Sequence, residues 1–183
     1  TLVAHTGTSS LKVTQPISFD QPLISLEGGK AYYLNAWVSA MNPTIQIPTL
    51  ADELGIVVTL KDKENNDVLI QNFEPTGLVI EGWQQVRGSF ICPADKLMLS
   101  VTLKPGSTGT AWYDDLRIHP ENGNMQSYVY NLDDYRLQAI LDAENFATFF
   151  YYDVEGNLYL TKKETADGIK TLSENISYQI EQN

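Results

Sequence analysis

Cysteine, histidine and basic residues are scarce in this sequence of 183 residues. The single cysteine, Cys92, cannot form an intrachain disulfide, and with only two histidines the chain has too few ligands for a zinc cluster. Twelve Lys and Arg stand against 23 Asp and Glu, which gives a net charge of −11. Nucleic-acid binding needs clustered positive charge to displace counterions from phosphates, so we predict no nucleic-acid partner.

Long apolar runs are also missing. A transmembrane helix requires about 18–20 consecutive apolar residues, and no stretch of the chain approaches this length, so we predict no membrane insertion. The hydrophobic content of 43% and the charged content of 19% are typical of a soluble globular protein. The chain begins at Thr1 without signal-peptide organisation, which we interpret as a processed protein or an excised fragment.

Motifs of common enzyme classes are absent from the sequence. It has no phosphate-binding Gly-rich loop, no HExxH and no Gly-x-Ser-x-Gly nucleophile elbow. Asp114 and Asp115 resemble the carboxylate pair of a glycosidase, but neighbouring residues of a strand point to opposite faces. We therefore predict a protein without catalytic activity.

What the sequence does contain is a series of short β-branched, aromatic and aliphatic runs separated by Gly, Pro, Asn and Asp. The predicted strands cover residues 10–14, 31–40, 55–61, 68–73, 83–90, 97–104 and 110–118. Strands at this spacing predict an all-β, antiparallel sandwich. Residues 41–54, which include two prolines, are predicted as either a binding loop or a variable insertion.

One face of the strand at residues 31–40 carries the candidate ligand-binding residues. Alternation places Tyr33, Asn35 and Trp37 together, opposite Leu34 and Val38. Sugar binding uses aromatic faces for stacking and amide groups for the hydroxyls. If this face is exposed, Trp37 can stack on a sugar; if the C-terminal part of the chain covers it, Trp37 belongs to the core.

The strand near the middle of the chain carries the candidate metal ligand. Alternation predicts Asp114 on the same face as Leu116 and Ile118. A carboxylate in line with core aliphatics is costly to bury unless backbone donors, a cation or a metal satisfies it. Calcium takes carboxylate and backbone oxygens, so Asp114 is predicted as a calcium ligand, with satisfaction by backbone amides as the alternative.

Four motifs in order carry a family resemblance. Residues 4–13, 29–38, 82–90 and 112–118 resemble the strands "His-Ser-Gly…Ser-Leu-Lys-Val", "Gly-Lys-Tyr…Leu-Ser…Trp-Val", "Gly-Trp…Val…Gly…Phe" and the closing strand of galactose-binding-like carbohydrate-binding modules. This resemblance implies a jelly roll over residues 1–120, a sugar site and a structural calcium. The chain departs from the pattern in having little of the opening strand that normally precedes the first motif.

The C-terminal part shows a second resemblance. Residues 152–158, Tyr-Asp-Val-Glu-Gly-Asn-Leu, are similar to the core of YD repeats, found in large bacterial surface and toxin-delivery proteins of the Rhs type. A looser copy begins at Tyr130, and the step from there to Tyr152 is 22 residues. A fixed step suggests stacked β-hairpins that need a neighbour to bury their apolar face. We therefore predict a β-hairpin tail over residues 121–183.

Together these features predict a carbohydrate-binding or adhesion module of a larger bacterial protein that is secreted or displayed at the cell surface. Its partners would be a polysaccharide or other glycan and further domains of the same chain. The alternative is a structural spacer or protein-interaction module without a small ligand. A ligand module needs an exposed aromatic platform, whereas a spacer is expected to bury its tryptophans.

Overall fold

The computed structural model describes residues 4–21, 26–40, 53–94, 97–107 and 109–175. These residues form strands β1 (Leu11–Val13), β2 (Ile17–Gln21), β3 (Ala31–Ala40), β4 (Leu54–Lys61), β5 (Asp67–Phe73), β6 (Pro75–Ile80), β7 (Trp83–Ile91), β8 (Met98–Pro105), β9 (Ala111–Pro120), β10 (Ser127–Tyr130), β11 (Leu137–Leu141), β12 (Ala147–Tyr152), β13 (Leu158–Thr165) and β14 (Gly168–Glu174). All pairings between them are antiparallel. Over the described ranges no helix long and apolar enough to cross a membrane is present. The all-β prediction is confirmed.

The first nine strands form a sandwich of two sheets. One sheet has the order β1-β9-β3-β7-β6, and the other has the order β2-β8-β4-β5. Alternating apolar residues of both sheets point into the space between them. The core includes Leu34, Val38, Ile56, Val58, Leu60, Leu99, Val101 and Leu103, none more than 4% exposed. The predicted jelly-roll sandwich is confirmed.

A third sheet, the C-terminal sheet, follows the sandwich. Its order β10-β11-β12-β13-β14 is that of the chain, so each strand forms a hairpin with the next. The predicted hairpin tail is thus a meander of five strands. Pro120 ends β9 and Ser127 begins β10, but the division into domains 1–120 and 121–183 stays a prediction, as does the similarity of the tail to YD repeats.

Within the sandwich, the strand predictions are accurate where apolar alternation is strong and miss two strands where it is weak. β3 has the predicted bounds, whereas β2 is exposed along its whole length and β6 contains Pro75 and Gly77. Apart from Glu53 and Leu54, the segment predicted as a binding loop or insertion lies outside the described residues.

A bulge in β9 corrects the predicted faces of this strand. The register against β3 shifts between Asn35 and Trp37, opposite Asp115, whose φ is 51°. An extra residue reverses the alternation beyond it. Tyr113 and Ile118 therefore both pack on the core, although they differ by an odd number of positions. Asp114 does not share the face of Ile118, as alternation had predicted.

Candidate functional site

The predicted ligand face of β3 is covered by the C-terminal sheet. The alternation itself is as predicted, because Leu34 and Val38 lie in the sandwich core while Trp37 points to the other side. The turn between β11 and β12 lies over Trp37, whose indole Nε1 donates to the carbonyl of Asn145 at 2.8 Å. Phe146 meets the indole edge to face, with ring centroids 5.9 Å apart. Trp37 is 0% exposed and has no ring face left for a sugar.

Polar side chains of the same face bind the backbone of that turn. The amides of Asn35 and Gln85 each donate to the carbonyl of Glu144 at 2.9 Å. The Arg117 guanidinium donates through Nη2 to the carbonyl of Asp142 at 2.8 Å. Groups that could bond sugar hydroxyls are therefore used to hold a segment of the same chain.

These contacts bury two of the three predicted ligand-binding residues. Asn35, like Trp37, is 0% exposed, so neither residue can contact a sugar in this arrangement. Tyr33 is half-buried and lies beside His119, with ring centroids 5.8 Å apart. The physical reason is burial: aromatic and amide side chains that suit sugar binding also suit an interface with a second sheet.

A small apolar cluster completes this interface. Trp37, Ile80 and Trp83 of the sandwich pack with Phe146, and half-buried Trp112 and Ile169 lie against them. Trp83 is 5% exposed. The two parts of the chain thus share one apolar contact. It includes four strands of the sandwich (β3, β6, β7 and β9), together with the turn before β12 and strand β14 of the C-terminal sheet.

His5 lies inside the same interface, and the sequence did not reveal its role. Its ring stacks on Trp37 with centroids 4.3 Å apart and an interplanar angle of 19°. Nδ1 lies 2.7 Å from Oδ2 of Asp115, and Nε2 lies 3.0 Å from Oε1 of Glu164. No local sequence pattern links His5 to Glu164, from which it is 159 positions distant.

Asp114 accepts hydrogen bonds from backbone amides. Oδ2 accepts from the amide of His5 at 2.8 Å and from that of Thr6 at 3.3 Å, and Oδ1 accepts from the amide of Asp115 at 2.8 Å. Burial and the neighbouring Asp115 raise the pKa of the Asp114 carboxyl, and these amides act in the opposite direction. Because of the bulge, Asp114 and Asp115 both contact the segment at residues 5–6.

The surroundings of Asp114 fit the amide alternative better than a calcium site. N–H groups point at both of its oxygens, whereas calcium requires a shell of oxygen ligands. In the described part of the chain, no group of three or more His, Cys, Asp or Glu side chains is arranged to hold a metal ion. Calcium binding at Asp114 stays a prediction.

The outward side of the C-terminal sheet carries aromatic residues, two of them exposed. Val129 Cγ1 lies beside Gly7, and the Phe149 ring lies 6.5 Å from that of His5, so both side chains face the sandwich. Their strand neighbours point the other way. We call this surface the tyrosine face; it consists of Tyr128, Tyr130, Phe150 and Tyr152. Tyr128 and Tyr130 are 53% and 51% exposed.

The tyrosine face has a fixed geometry. The hydroxyl of Tyr152 donates to the carbonyl of Leu137 at 3.0 Å, and the Arg136 guanidinium lies 5.7 Å from the centroid of its ring. Tyr128 and Thr148 both align with Ile140 of β11, so the aromatic residues of β10 and β12 stand on two strands separated by about 10 Å. Tyr128 and Tyr130 are the exposed members of the face, whereas Phe150 and Tyr152 are half-buried.

A second candidate surface is a cleft of about 590 Å³ between the edges of the two sandwich sheets. Leu11, Phe19 and Leu116 give it an apolar lining, and Asp114 and Asp115 also border it. Its size is within the range of small-molecule sites. Its aromatic lining residues are Phe19 and Tyr113, and Tyr113 is buried, so the cleft is a poorer platform for a sugar chain than the tyrosine face.

Comparison with known proteins gives structural neighbours only. No protein-family model and no curated protein matches the sequence. The CBM22-1 xylan-binding domain from Paenibacillus barcinonensis Xyn10C is similar at 12% identity with a TM-score of 0.48, covering 66% of this chain and 78% of that one. The Family 16 Carbohydrate Binding Module-2 is similar at 19% identity, with a TM-score of 0.42 and coverage of 63% and 79%. The CBM22-1–GH10 modules of Clostridium thermocellum xylanase 10B, complexed with xylohexaose, are similar at 15% identity, with a TM-score of 0.40 and coverage of 66% and 24%.

Proposed function

We propose that this chain is a non-catalytic carbohydrate-binding or adhesion module of a larger bacterial protein that is secreted or displayed at the cell surface. Its glycan would bind on the tyrosine face of the C-terminal sheet. The observation that supports this proposal is the exposure of Tyr128 and Tyr130 on a face that also contains the half-buried Phe150 and Tyr152.

The chemistry of the tyrosine face suits a neutral polysaccharide. Ring faces stack on the C–H-rich surfaces of sugars, and phenol hydroxyls donate to and accept from sugar hydroxyls. The net charge of −11 opposes the approach of strongly anionic chains. Two rows of aromatic residues about 10 Å apart would contact more than one sugar unit, which favours a chain over a free monosaccharide.

A structural spacer or protein-interaction module is the second candidate function. It is favoured by the burial of Trp37 and Trp83, which stabilise a contact within the chain and bind no ligand there. A protein-interaction module would use the tyrosine face for contact with another protein. The two candidates differ in whether the isolated chain binds glycans.

The test is a glycan array with the full chain, followed by calorimetric titration of each polysaccharide that binds. Tyr128→Ala and Tyr130→Ala should each weaken binding by about 0.5–1.5 kcal/mol, the contribution of an aromatic contact beyond its area. Both side chains are exposed, so the melting temperature should stay unchanged.

Two further variants serve as controls. Tyr135→Ala removes a tyrosine that is 78% exposed in the turn before β11 and should leave binding intact. Trp37→Ala should reduce the free energy of unfolding by about 3–5 kcal/mol, because it leaves a cavity in the interface. Absence of any bound glycan on the array, or glycan binding that survives loss of both Tyr128 and Tyr130, would refute the proposed site and favour the spacer.

A further inference from the structure

His5 is held between two carboxylates in a way that requires a proton on both ring nitrogens. Nδ1 faces Oδ2 of Asp115 at 2.7 Å, and Nε2 faces Oε1 of Glu164 at 3.0 Å. A neutral imidazole has one donor and one acceptor, and an ionised carboxylate only accepts. Both contacts are therefore hydrogen bonds only when the ring is an imidazolium.

The two carboxylates belong to different parts of the molecule. Asp115 lies in β9 of the sandwich, and Glu164 lies in β13 of the C-terminal sheet. Glu164 is 1% exposed, and its second oxygen accepts from the amide of Ala147 at 3.1 Å, so its position is fixed by β12. The His5 ring is consequently a charged bridge between the two parts.

Every element packed around the ring contributes either an acid or an aromatic side chain. β9 contributes Asp115 and also Asp114, which accepts from the His5 amide, and β13 contributes Glu164. The remaining contacts are the rings of Trp37, Trp83 and Phe149. The buried guanidinium of Arg117, also on β9, interacts with Asp115 from the sandwich side, so the imidazolium is the positive charge placed between Asp115 and Glu164. Loss of the His5 proton would leave acidic groups facing one another in a buried interface.

We propose that protonated His5 is a pH-sensitive switch that holds the C-terminal sheet on the sandwich, and that its deprotonation weakens this contact and uncovers the Trp37 face. The donors released by opening would be those that now bind the turn between β11 and β12, on Asn35, Gln85 and Arg117. This inference concerns the contact between the sheets and does not rest on the proposed glycan site.

The direction of the pH effect follows from the shift in the pKa of the His5 imidazole. Burial acts to lower the pKa of His5, but hydrogen bonds and charge interactions with Asp115 and Glu164 outweigh it and raise the pKa to about 9. A pKa raised by folding means that the stabilisation is complete below the ordinary pKa of histidine, about 6.5, and is lost as the pH rises through 9. The contact is therefore closed at neutral pH and opens in alkali.

The experiment uses the full chain and measures both the protonation of His5 and the contact between the C-terminal sheet and the sandwich. The ring protons of His5 are followed by NMR from pH 6 to pH 10.5, with His119→Gln identifying the signals of the other histidine. Opening is followed in the same range by tryptophan fluorescence and by limited proteolysis between Glu121 and Ser127, with rates normalised to an unstructured peptide at each pH. We expect a His5 midpoint near 9, together with a fluorescence change and faster cleavage.

Two variants connect the titration to the contact. His5→Gln places a side chain without a titratable group at this position, so the pH dependence of fluorescence and cleavage near 9 should be lost. Glu164→Gln retains the shape of the side chain but removes one charge, so the His5 midpoint should move to lower pH. A His5 midpoint at or below 7 in the wild-type chain would overturn the proposal, as would an alkaline opening that persists unchanged in His5→Gln.

Discussion

The amide groups that surround Asp114 show how one carboxylate can support two different predictions. A buried acid in an aromatic strand is compatible with a metal ligand and equally with a backbone cap, because both satisfy its charge. The N–H groups of His5, Thr6 and Asp115 favour the second role. Asp114 also helps to place His5, since it accepts from the backbone of the residue whose ring forms the bridge.

A calcium titration of the melting temperature separates these roles. Without bound calcium, Asp114→Ala should reduce stability by about 1–3 kcal/mol, because partly buried N–H groups lose their acceptor. Millimolar calcium should then leave the melting temperatures of wild type and variant unchanged. A calcium-dependent rise that is present in the wild type and missing in Asp114→Ala would instead establish a metal site, since a ligand of the native state stabilises it by mass action.

At the scale of single elements, one turn recurs in three hairpins. Asp62, Asp142 and Asp153 each begin a turn in which the aspartate backbone bonds the residues three and four positions later at 3.0 Å. In each, the aspartate Oδ1 accepts from the amide of the residue four positions on. The residue three positions on has a positive φ, 65° at Asn65, 69° at Asn145 and 90° at Gly156. These residue types tolerate the left-handed region, which explains the shared pattern.

The turn at Asn145 differs from the others because it is also an interface element. The Asn145 side chain is 0% exposed, and its Nδ2 donates to the carbonyl of Asp115 at 3.0 Å. Asn145→Gly keeps a backbone that suits positive φ but removes this bond, so it should destabilise the protein by about 1–3 kcal/mol. Asn65→Gly is the matched control at the same turn position on the surface and should change stability by less than about 0.5 kcal/mol. Chemical denaturation measures both; equal effects would mean that the docking bond contributes nothing.

At the scale of the whole molecule, the C-terminal sheet completes the sandwich. Trp37, Ile80 and Trp83 pack against Phe146, and the Trp37 indole donates to the carbonyl of Asn145 in the same turn. A chain of residues 1–120 would expose this cluster together with the amides of Asn35 and Gln85. Large exposed apolar patches lower solubility and mark association surfaces.

Removal of the C-terminal sheet should therefore destabilise the sandwich. We expect the chain truncated after Pro120 to bind a hydrophobic dye, to melt at a lower temperature than the full chain and to show a red-shifted tryptophan emission. In limited proteolysis of the full chain at neutral pH, cleavage between Glu121 and Ser127 should release the sandwich fragment only slowly. Release of a soluble sandwich with an unchanged melting temperature would show that the two parts are independent.

The sequence by itself was sufficient for the fold class and for most strands, because period-2 alternation and turn residues are local signals. β3 shows this most clearly: its bounds and the two faces that separate Leu34 from Trp37 follow from ten consecutive residues. The hairpin turn at Asp62 was predictable for the same reason, since its geometry depends on the residue types within it.

Only the tertiary structure decided what each face contacts. Alternation places Trp37 and Asn35 on one face. The sequence pattern does not differ between a face that a glycan covers and a face that a second sheet covers. The bulge at Asp115 depends on pairing with β3. The bridge from His5 to Glu164 joins residues 159 positions apart. Neither feature can therefore be recognised from a short stretch of sequence. A site made of groups from distant strands depends on how the sheets pack, and that packing is a property of the whole chain.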